Sequence, residues 1–267
     1  MDTTYWKRQT DKPLFPELEW NKPERRDHAG KLLIIGGDLH NLGAPASAFE
    51  FTKQAGIGRI KLALPYKTRR LVGKTLPEAL FLPSTASGEF SHAGEVELLD
   101  HAVWADSILM PGDNGRNSET TILFESILRE YKELVVLTRD AVDILSHSPK
   151  VMFNRERTTL VVTFAQLQKL VKNYGELTAL TFSMDLIKFV EFLHTFTKKT
   201  ASNIVTLHQN QIIVAVNGQI STKKVVEESE PAHWRLKLAS SAVCYQTWNP
   251  NKPFEALTHV TFQTTLQ

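Results

Sequence analysis

The stretch from His28 to Pro65 constrains the fold of this chain more than any other, because it holds a strand, a glycine turn, a helix and a second strand. Lys31 to Ile35 is a short apolar run stopped by two glycines, a pattern typical of a strand buried on both faces. Helical spacing follows from Gly43 to Ala55, and a second strand is predicted from Gly58 to Leu64. Such a unit predicts a right-handed crossover between parallel strands, and therefore an α/β fold.

The turn from Gly36 to Pro45 is the first candidate binding site. Ligands of parallel α/β sheets bind outside the carboxyl ends of the strands, and this turn follows such an end. The residues that we predict to line the site here are Asp38, Asn41, Gly43 and Ala44.

A second unit of the same kind begins at Ser107. The strand from Ser107 to Met110 leads directly into a glycine turn, and a helix capped by Asn117 follows. By the same reasoning, this turn is predicted to contribute Gly112, Asn114 and Gly115 to the site.

Composition excludes several classes of protein. The chain has 267 residues, enough for one large α/β domain, and 31 Lys and Arg against 29 Asp and Glu give a formal charge of +2. This balance argues against binding to nucleic acid or to an anionic membrane. No apolar segment is long enough to cross a membrane, and the single cysteine, Cys244, excludes an internal disulfide, so we expect a cytoplasmic protein with an inert, buried thiol.

The amino-terminal segment is expected to pack on a surface rather than to hang free. Residues 1–27 are polar and proline-rich but carry Trp6, Phe15, Leu18 and Trp20, so we interpret them as a lead-in to a domain spanning 28–267. The surface that they cover belongs either to this domain or to a neighbouring subunit, and a homo-oligomer is predicted.

Helical periodicity predicts several further helices. One spans Thr68 to Leu76 and another Glu95 to Trp104, the latter with Val96, Leu99 and Val103 facing inward. Two more span Thr163 to Asn173 and Ser183 to Lys199. In and beside the last of these, apolar residues at helical spacing predict a face that packs in the core or against another subunit: Phe182, Met184, Ile187, Phe189, Val190, Phe192, Leu193 and Phe196.

Three short motifs resemble those of one enzyme family. Ile35-Gly36-Gly37-Asp38, Leu42-Gly43-Ala44-Pro45 and Gln54-Ala55-Gly56-Ile57-Gly58 are similar, in order and spacing, to motifs of the ADP-dependent NAD(P)H-hydrate dehydratases. Those enzymes belong to the ribokinase-like superfamily. The resemblance covers about residues 28–260 and implies a three-layer sandwich, with a mostly parallel sheet and helices on both faces.

The resemblance also implies where ligands would bind. The family has a His-Pro-Gly-Glu turn near its hydrated nicotinamide substrate, and here the turn begins at Thr163, so Thr163 is a further candidate substrate residue. ADP or ATP would be the nucleotide, and NAD(P)H hydrate the substrate. The family's Lys-Gly nucleotide contact is replaced by Leu207-His208. Residues that would face the nucleotide are Leu207, His208, Gln209, Asn210, Gln211 and Arg235.

The family's phosphate turn is the motif that differs most. Ribokinase-like enzymes carry Gly-Thr-Gly-Asp before a helix, where the aspartate is the general base. The corresponding residues here are His233 to Leu236, so Leu236 occupies the position of the aspartate and no base is assigned. Glu227, Glu228 and Glu230 precede this turn and would repel a phosphate, whereas Arg235 would attract one.

Three functions follow from these observations. The first is a divergent dehydratase homologue that has lost catalysis and binds a nucleotide weakly or not at all. The second is an active ADP- or ATP-dependent NAD(P)H-hydrate dehydratase that uses substitute acids, such as Asp38 or one of residues 227–230. The third is a sugar or vitamin kinase, which needs the missing aspartate most directly because that group deprotonates the substrate hydroxyl.

Overall fold

A single ten-stranded sheet forms the middle layer of the molecule in the computed structural model, which describes residues 4–72, 75–76, 79–225 and 231–264. Its strands are β1 Trp6–Gln9, β2 Lys31–Ile35, β3 Arg59–Pro65, β4 Ala79–Leu82, β5 Ser107–Met110, β6 Leu134–Thr138, β7 Thr158–Thr163, β8 Asn203–His208, β9 Gln211–Val216 and β10 Gln219–Lys224.

The sheet order is β1-β10-β9-β8-β7-β6-β5-β2-β3-β4. Strands β2 to β8 run parallel to one another, β9 is antiparallel to both of its neighbours, and β1 pairs in parallel with β10. The mostly parallel sheet predicted from the sequence is therefore confirmed. The turn at Asn217 and Gly218 joins β9 to β10 as a tight hairpin, since both residues have positive φ.

Helices cover both faces of the sheet and bury a separate hydrophobic core on each. The helices are α1 Gly43–Ala55, α2 Arg69–Val72, α3 Glu95–Trp104, α4 Ser118–Glu130, α5 Asp140–Ile144, α6 Lys150–Phe153, α7 Phe164–Tyr174, α8 Leu186–Lys199, α9 Pro231–Trp248 and α10 Pro253–Thr264. Helices α1, α9 and α10 pack on one face, while α3, α4, α7 and α8 pack on the other. Among the described residues, no helix combines the length and apolarity that a membrane span requires.

The opening strand, turn and helix form as the sequence predicts. Gly56 ends α1 in the left-handed conformation, with φ of +102°, and its amide hydrogen-bonds to the carbonyls of Lys53 and Thr52. Asn117 caps α4 by accepting a hydrogen bond from the amide of Glu119, as predicted. The lead-in packs on this same chain through β1, where Trp6 Nε1 donates to Thr222 Oγ1 at 3.1 Å.

Three helix predictions need correction. Helix α2 spans only Arg69–Val72, and Leu76 lies outside the helix. In helix α3 the prediction is wrong for two of the three residues: Val96 and Val103 are exposed, whereas Leu99 is partly buried against the core. The fully buried residues of this helix are Leu98 and Ala102.

Helix α8 starts later than predicted because Asp185 caps it, its carboxylate accepting a hydrogen bond from the amide of Ile187 at 2.7 Å. Phe182 therefore precedes the helix and is largely exposed, and Ile187 also faces away from the core. The predicted core face is confirmed for Phe189, Val190, Phe192, Leu193 and Phe196.

Candidate functional site

The predicted site residues lie along one edge of the sheet. Strands β2, β5, β6, β7 and β8 are parallel, so the loops that follow them gather at their shared carboxyl edge. The predicted residues after these strands are Asp38, Asn41, Gly43 and Ala44 (β2), Gly112, Asn114 and Gly115 (β5), Thr163 (the last residue of β7), and Leu207 to Gln211 (β8 and the turn to β9).

The glycine turn after β5 is built around Asp140, the first residue of α5. The backbone amides of Asp113 and Asn114 donate to the two carboxylate oxygens of Asp140, at 2.9 and 2.8 Å. Gly112 has φ of +110°, and a Cβ there would clash with Oδ1 of Asp140. Glycine is therefore required at 112 for its conformation and for the close approach of this carboxylate.

A second carboxylate, that of Glu89, fills the other half of the same turn. Its Oε1 accepts hydrogen bonds from the amides of Arg116 and Asn117, at 2.7 and 3.1 Å. Burial raises the pKa of Glu89, but the hydrogen bonds from Ser87 and these two amides outweigh it, so the pKa is lowered overall. Four backbone amides of this turn, which could otherwise donate to a ligand, thus donate to the carboxylates of Asp140 and Glu89.

Asp38 shapes the turn after β2. The Asp38 side chain is buried, and its Oδ1 accepts hydrogen bonds from the amides of His40 and Asn41, at 2.7 and 2.8 Å. The amide of Ala44 donates to Asp113 Oδ2 at 2.6 Å, which joins this turn to the one after β5. The two predicted halves of the site are thus in direct contact.

Two arginines and a glutamine extend this network along the edge. Arg139 follows β6, and its guanidinium pairs with Asp113 at 3.0 Å. Gln166, in the first turn of α7, donates to the carbonyl of Arg139 at 2.8 Å and accepts from Arg235 Nη1 at 3.2 Å. Arg139 has φ of +56° and ψ of −138°, a conformation rare outside glycine, and strain of this kind is concentrated at functional sites.

Arg235 is the basic side chain in this network whose positive charge is least neutralised by nearby acids. Burial lowers the pKa of its guanidinium and the nearby Arg139 lowers it further, whereas Asp143 and Asp140 raise it. Within the described part of the chain it forms no ion pair, and its buried Nε has no hydrogen-bond partner. Asn114 is completely buried, and both polar atoms of its side chain also lack a partner among the described residues. Buried polar groups of this kind point to water or a ligand.

Leu236 follows Arg235 and lies in the core between α9 and the sheet. Its side chain is 2% exposed and packs in the same cluster as Leu238 and Ala239. Leu236 stands where the resemblance places the general base, and its aliphatic side chain is buried in the interior. The acids that could substitute for it at 227, 228 and 230 lie outside the described residues.

Thr163 and the predicted nucleotide residues have other partners in this structure. Thr163 caps α7, its hydroxyl accepting a hydrogen bond from the amide of Gln166, and it pairs with Leu207 in the sheet. His208 is buried, stacks on Phe164 and hydrogen-bonds through Nε2 to the carbonyl of Met184 at 2.7 Å. Gln209 and Asn210, both with positive φ, form the hairpin turn that leads to Gln211.

Sequence reasoning missed the acids Glu89 and Asp140 and three further members of the network: Asp113, Arg139 and Gln166. Arg139 was detectable in principle, because it directly follows a buried strand at the carboxyl edge. Asp113 and Gln166 are defined by contacts across 26 and 69 residues of sequence, which no local pattern encodes. In the described ranges, no group of three or more His, Cys, Asp and Glu residues could hold a metal ion.

Known sequences match part of the chain. No protein-family model matches it. The bifunctional NAD(P)H-hydrate repair enzyme Nnr of Methanothermobacter thermautotrophicus is 30% identical over 122 residues, which is 45% of this chain and 23% of that enzyme. The chain thus matches less than a quarter of the length of this curated relative.

Solved structures match nearly the whole chain. A ribokinase-like superfamily protein from Enterococcus faecalis has a TM-score of 0.73 at 15% identity, covering 100% of this chain and 88% of that one. The ADP/ATP-dependent NAD(P)H-hydrate dehydratase from Bacillus subtilis, co-crystallised with ATP and Mg²⁺, has a TM-score of 0.61 at 14% identity, over 91% and 81%. These likenesses establish the ribokinase-like three-layer fold. In sequence, 45% of this chain is similar to the NAD(P)H-hydrate repair enzyme.

Proposed function

We propose that this chain is a catalytically degenerate homologue of the NAD(P)H-hydrate dehydratases that retains a weak binding site for an adenine nucleotide. The observation that carries the proposal is the burial of Leu236 at the position of the family's aspartate. An aliphatic side chain cannot transfer a proton, and this one packs in the core instead of facing the cleft.

The state of the two glycine turns supports the loss of substrate binding. Asp140 and Glu89 accept hydrogen bonds from four backbone amides of the turn after β5, and Asp38 accepts two more in the turn after β2. Donors already paired with internal carboxylates offer a ligand little gain in hydrogen bonding. Asp38 is a poor substitute base because its buried carboxylate is already held by two amide hydrogen bonds within its own turn.

The two arginines support the retention of nucleotide binding. Arg235 is largely buried and has one neutral hydrogen-bond partner, Gln166, while Arg139 lies close enough to lower its pKa. A phosphate group between the two guanidiniums would relieve this repulsion through charge-assisted hydrogen bonds. ADP or ATP is the nucleotide that we propose, by analogy with the Bacillus subtilis dehydratase.

Catalysis and binding are tested separately. Hydrated NADH is incubated with ADP and the purified protein, and the recovery of NADH is followed by its absorbance, with the Bacillus subtilis dehydratase as positive control. We expect no recovery above the uncatalysed rate. Robust turnover would contradict the proposal and support the active dehydratase. In that event Asp38→Asn would show whether Asp38 is its base.

Binding is tested by thermal shift with ADP and ATP. A ligand at about ten times its Kd stabilises the native state by roughly 1.4 kcal/mol, which corresponds to a rise in Tm of about 3 °C. We expect Arg235→Gln to remove this shift and Arg59→Gln to preserve it, because Arg59 is exposed at the start of β3, on the opposite edge of the sheet. Equal shifts in both variants would place the nucleotide elsewhere.

A further inference from the structure

A pocket of about 510 Å³ opens at the amino-terminal edge of the sheet, opposite the candidate site. It lies where β5, β6, β7 and β8 begin, between the last turn of α9 and the start of α10. Its volume is within the range of small-molecule sites, which is about 300–1,000 Å³.

Two buried amide side chains form part of its lining. Asn203, the first residue of β8, is 8% exposed, and Gln246 of α9 is 3% exposed. Asn203 Nδ2 donates to Thr159 Oγ1 at 3.1 Å, and Thr159 Oγ1 donates to Gln246 Oε1 at 2.9 Å. The contacts of the described residues leave the Asn203 side-chain oxygen without a hydrogen bond, although an amide oxygen can accept two. The pocket therefore offers a hydrogen-bond acceptor that no described residue uses.

The rim of the pocket is acidic. Asp106, Glu133 and Glu156 line it, and the one arginine in the lining, Arg157, is already paired with Glu133. Asp106 accepts a hydrogen bond from the amide of Lys31 at 2.8 Å but forms no ion pair with a described residue.

Two helices also end beside this rim. Helix α8 ends at Lys199 and α9 at Trp248. Thr200, directly after α8, lines the pocket, as do Thr247 and Pro250 on either side of the end of α9. Carbonyl groups at helix carboxyl termini carry a partial negative charge. Lys199, in the last turn of α8, is paired with Glu176. The amino terminus of α10, which begins at Pro253 in the same lining, carries the opposite partial charge, so the preference for a positive charge rests on the acidic rim.

Apolar side chains supply the rest of the lining. Leu134, Val216, Pro250 and Pro253 contribute surface suited to a methylene chain or a small ring. The pocket thus combines an unused acceptor, an acidic rim and apolar walls.

We propose that this pocket binds a small organic cation, an amine or amidine with an apolar body. Its N–H groups donate to the Asn203 oxygen and the rim carboxylates, and its body packs between the two prolines. This site is independent of the nucleotide cleft, since the two lie at opposite edges of the sheet.

The proposal is tested by thermal shift and calorimetry on the full chain with agmatine, putrescine, cyclohexylamine and benzamidine. Adipate serves as an anion of similar length. We expect at least one cation to bind and raise Tm, and adipate to give no shift. If none of the four cations binds, or if adipate binds equally well, the proposal is overturned.

Variants locate the binding. Ala201 is exposed and lines the pocket, so Ala201→Trp fills it with little effect on the core. Ala179→Trp places the same side chain on an exposed loop that does not line the pocket. We expect Ala201→Trp to weaken binding at least tenfold and Ala179→Trp to preserve it. Should Ala201→Trp fail to fold, Glu156→Gln is the second variant, with an expected weakening of about threefold that diminishes at high salt. Unchanged affinity in the folded pocket variant overturns the proposal.

Discussion

Gly112 lies directly against the carboxylate of Asp140, so that a Cβ at position 112 would clash with Oδ1 of that carboxylate. Gly112→Ala introduces this clash and also the unfavourable backbone conformation at φ of +110°. We expect it to lower the free energy of unfolding by about 3 kcal/mol, measured by urea denaturation.

The matched control is Gly175→Ala at the end of α7. Gly175 has φ of +94°, but no atom lies within 4 Å of the position that its Cβ would take. This control isolates the conformational penalty, which is about 1 kcal/mol. Equal losses in the two variants would mean that the Asp140 contact contributes nothing.

Leu236 is predicted to contribute to the stability of the fold and not to catalysis. Leu236→Ala should lower the free energy of unfolding by about 3 kcal/mol, because it leaves a cavity between α9 and the sheet. Leu177→Ala, on an almost fully exposed leucine, should change it by less than about 0.5 kcal/mol. Leu236→Asp restores the family's residue type but buries a charge, so we expect a less stable protein with no dehydratase turnover. A gain of turnover would refute the structural role.

Glu89 is predicted to make the free energy of unfolding vary with pH in the acid range. Folding lowers the pKa of the Glu89 carboxyl group. Its contribution to the free energy of unfolding is therefore complete above the pKa that Glu89 has in the unfolded chain. That contribution is lost as the pH falls through the pKa that Glu89 has in the folded protein. Glu89→Gln should therefore cost about 1 kcal/mol at pH 7, and the difference from wild type should shrink between about pH 5 and pH 3. The exposed variant Glu130→Gln is the control. A difference that does not vary with pH would contradict the prediction.

Cys244 is predicted to be unreactive in the native state. Burial raises the pKa of its thiol to about 12, so almost no thiolate is present at neutral pH. Labelling with a chromogenic disulfide should be slow in buffer and rapid in 6 M guanidinium chloride, with one thiol titrated per chain. Rapid labelling without denaturant would show that α9 opens locally.

The sequence predicts where the helices and strands lie better than it predicts which face of each helix is buried. The segment from Lys31 to Pro65 is predictable because glycines and a proline mark each boundary locally. Helix α3 is ambiguous, since Leu98 and Ala102 form one apolar stripe while Val96, Leu99 and Val103 form another. The packing of α3 against α4 and β2 decides between the two, and these contacts are not local in sequence.

For the candidate site, too, the sequence predicts the position but not the contacts between side chains. Its position at the carboxyl edge follows from the predicted strands, and Asp38 and Gly112 are found there. The contacts that saturate its amides are not predictable, because Glu89 reaches Arg116 and Asn117 from 27 and 28 residues away. Which glycine turns still offer free donors depends on such long-range contacts, and turn composition alone does not determine it.

The pairing of β1 with β10 has a consequence for the order of folding. Trp6 is in register with Ile220, so the first described strand of the chain joins the last one across more than two hundred residues. During synthesis, β1 leaves the ribosome long before its partner exists and must remain unpaired until β9 and β10 have formed their hairpin. Closing so long a loop is slow, so this edge of the sheet should be the last to assemble and the first to be exposed when the chain opens.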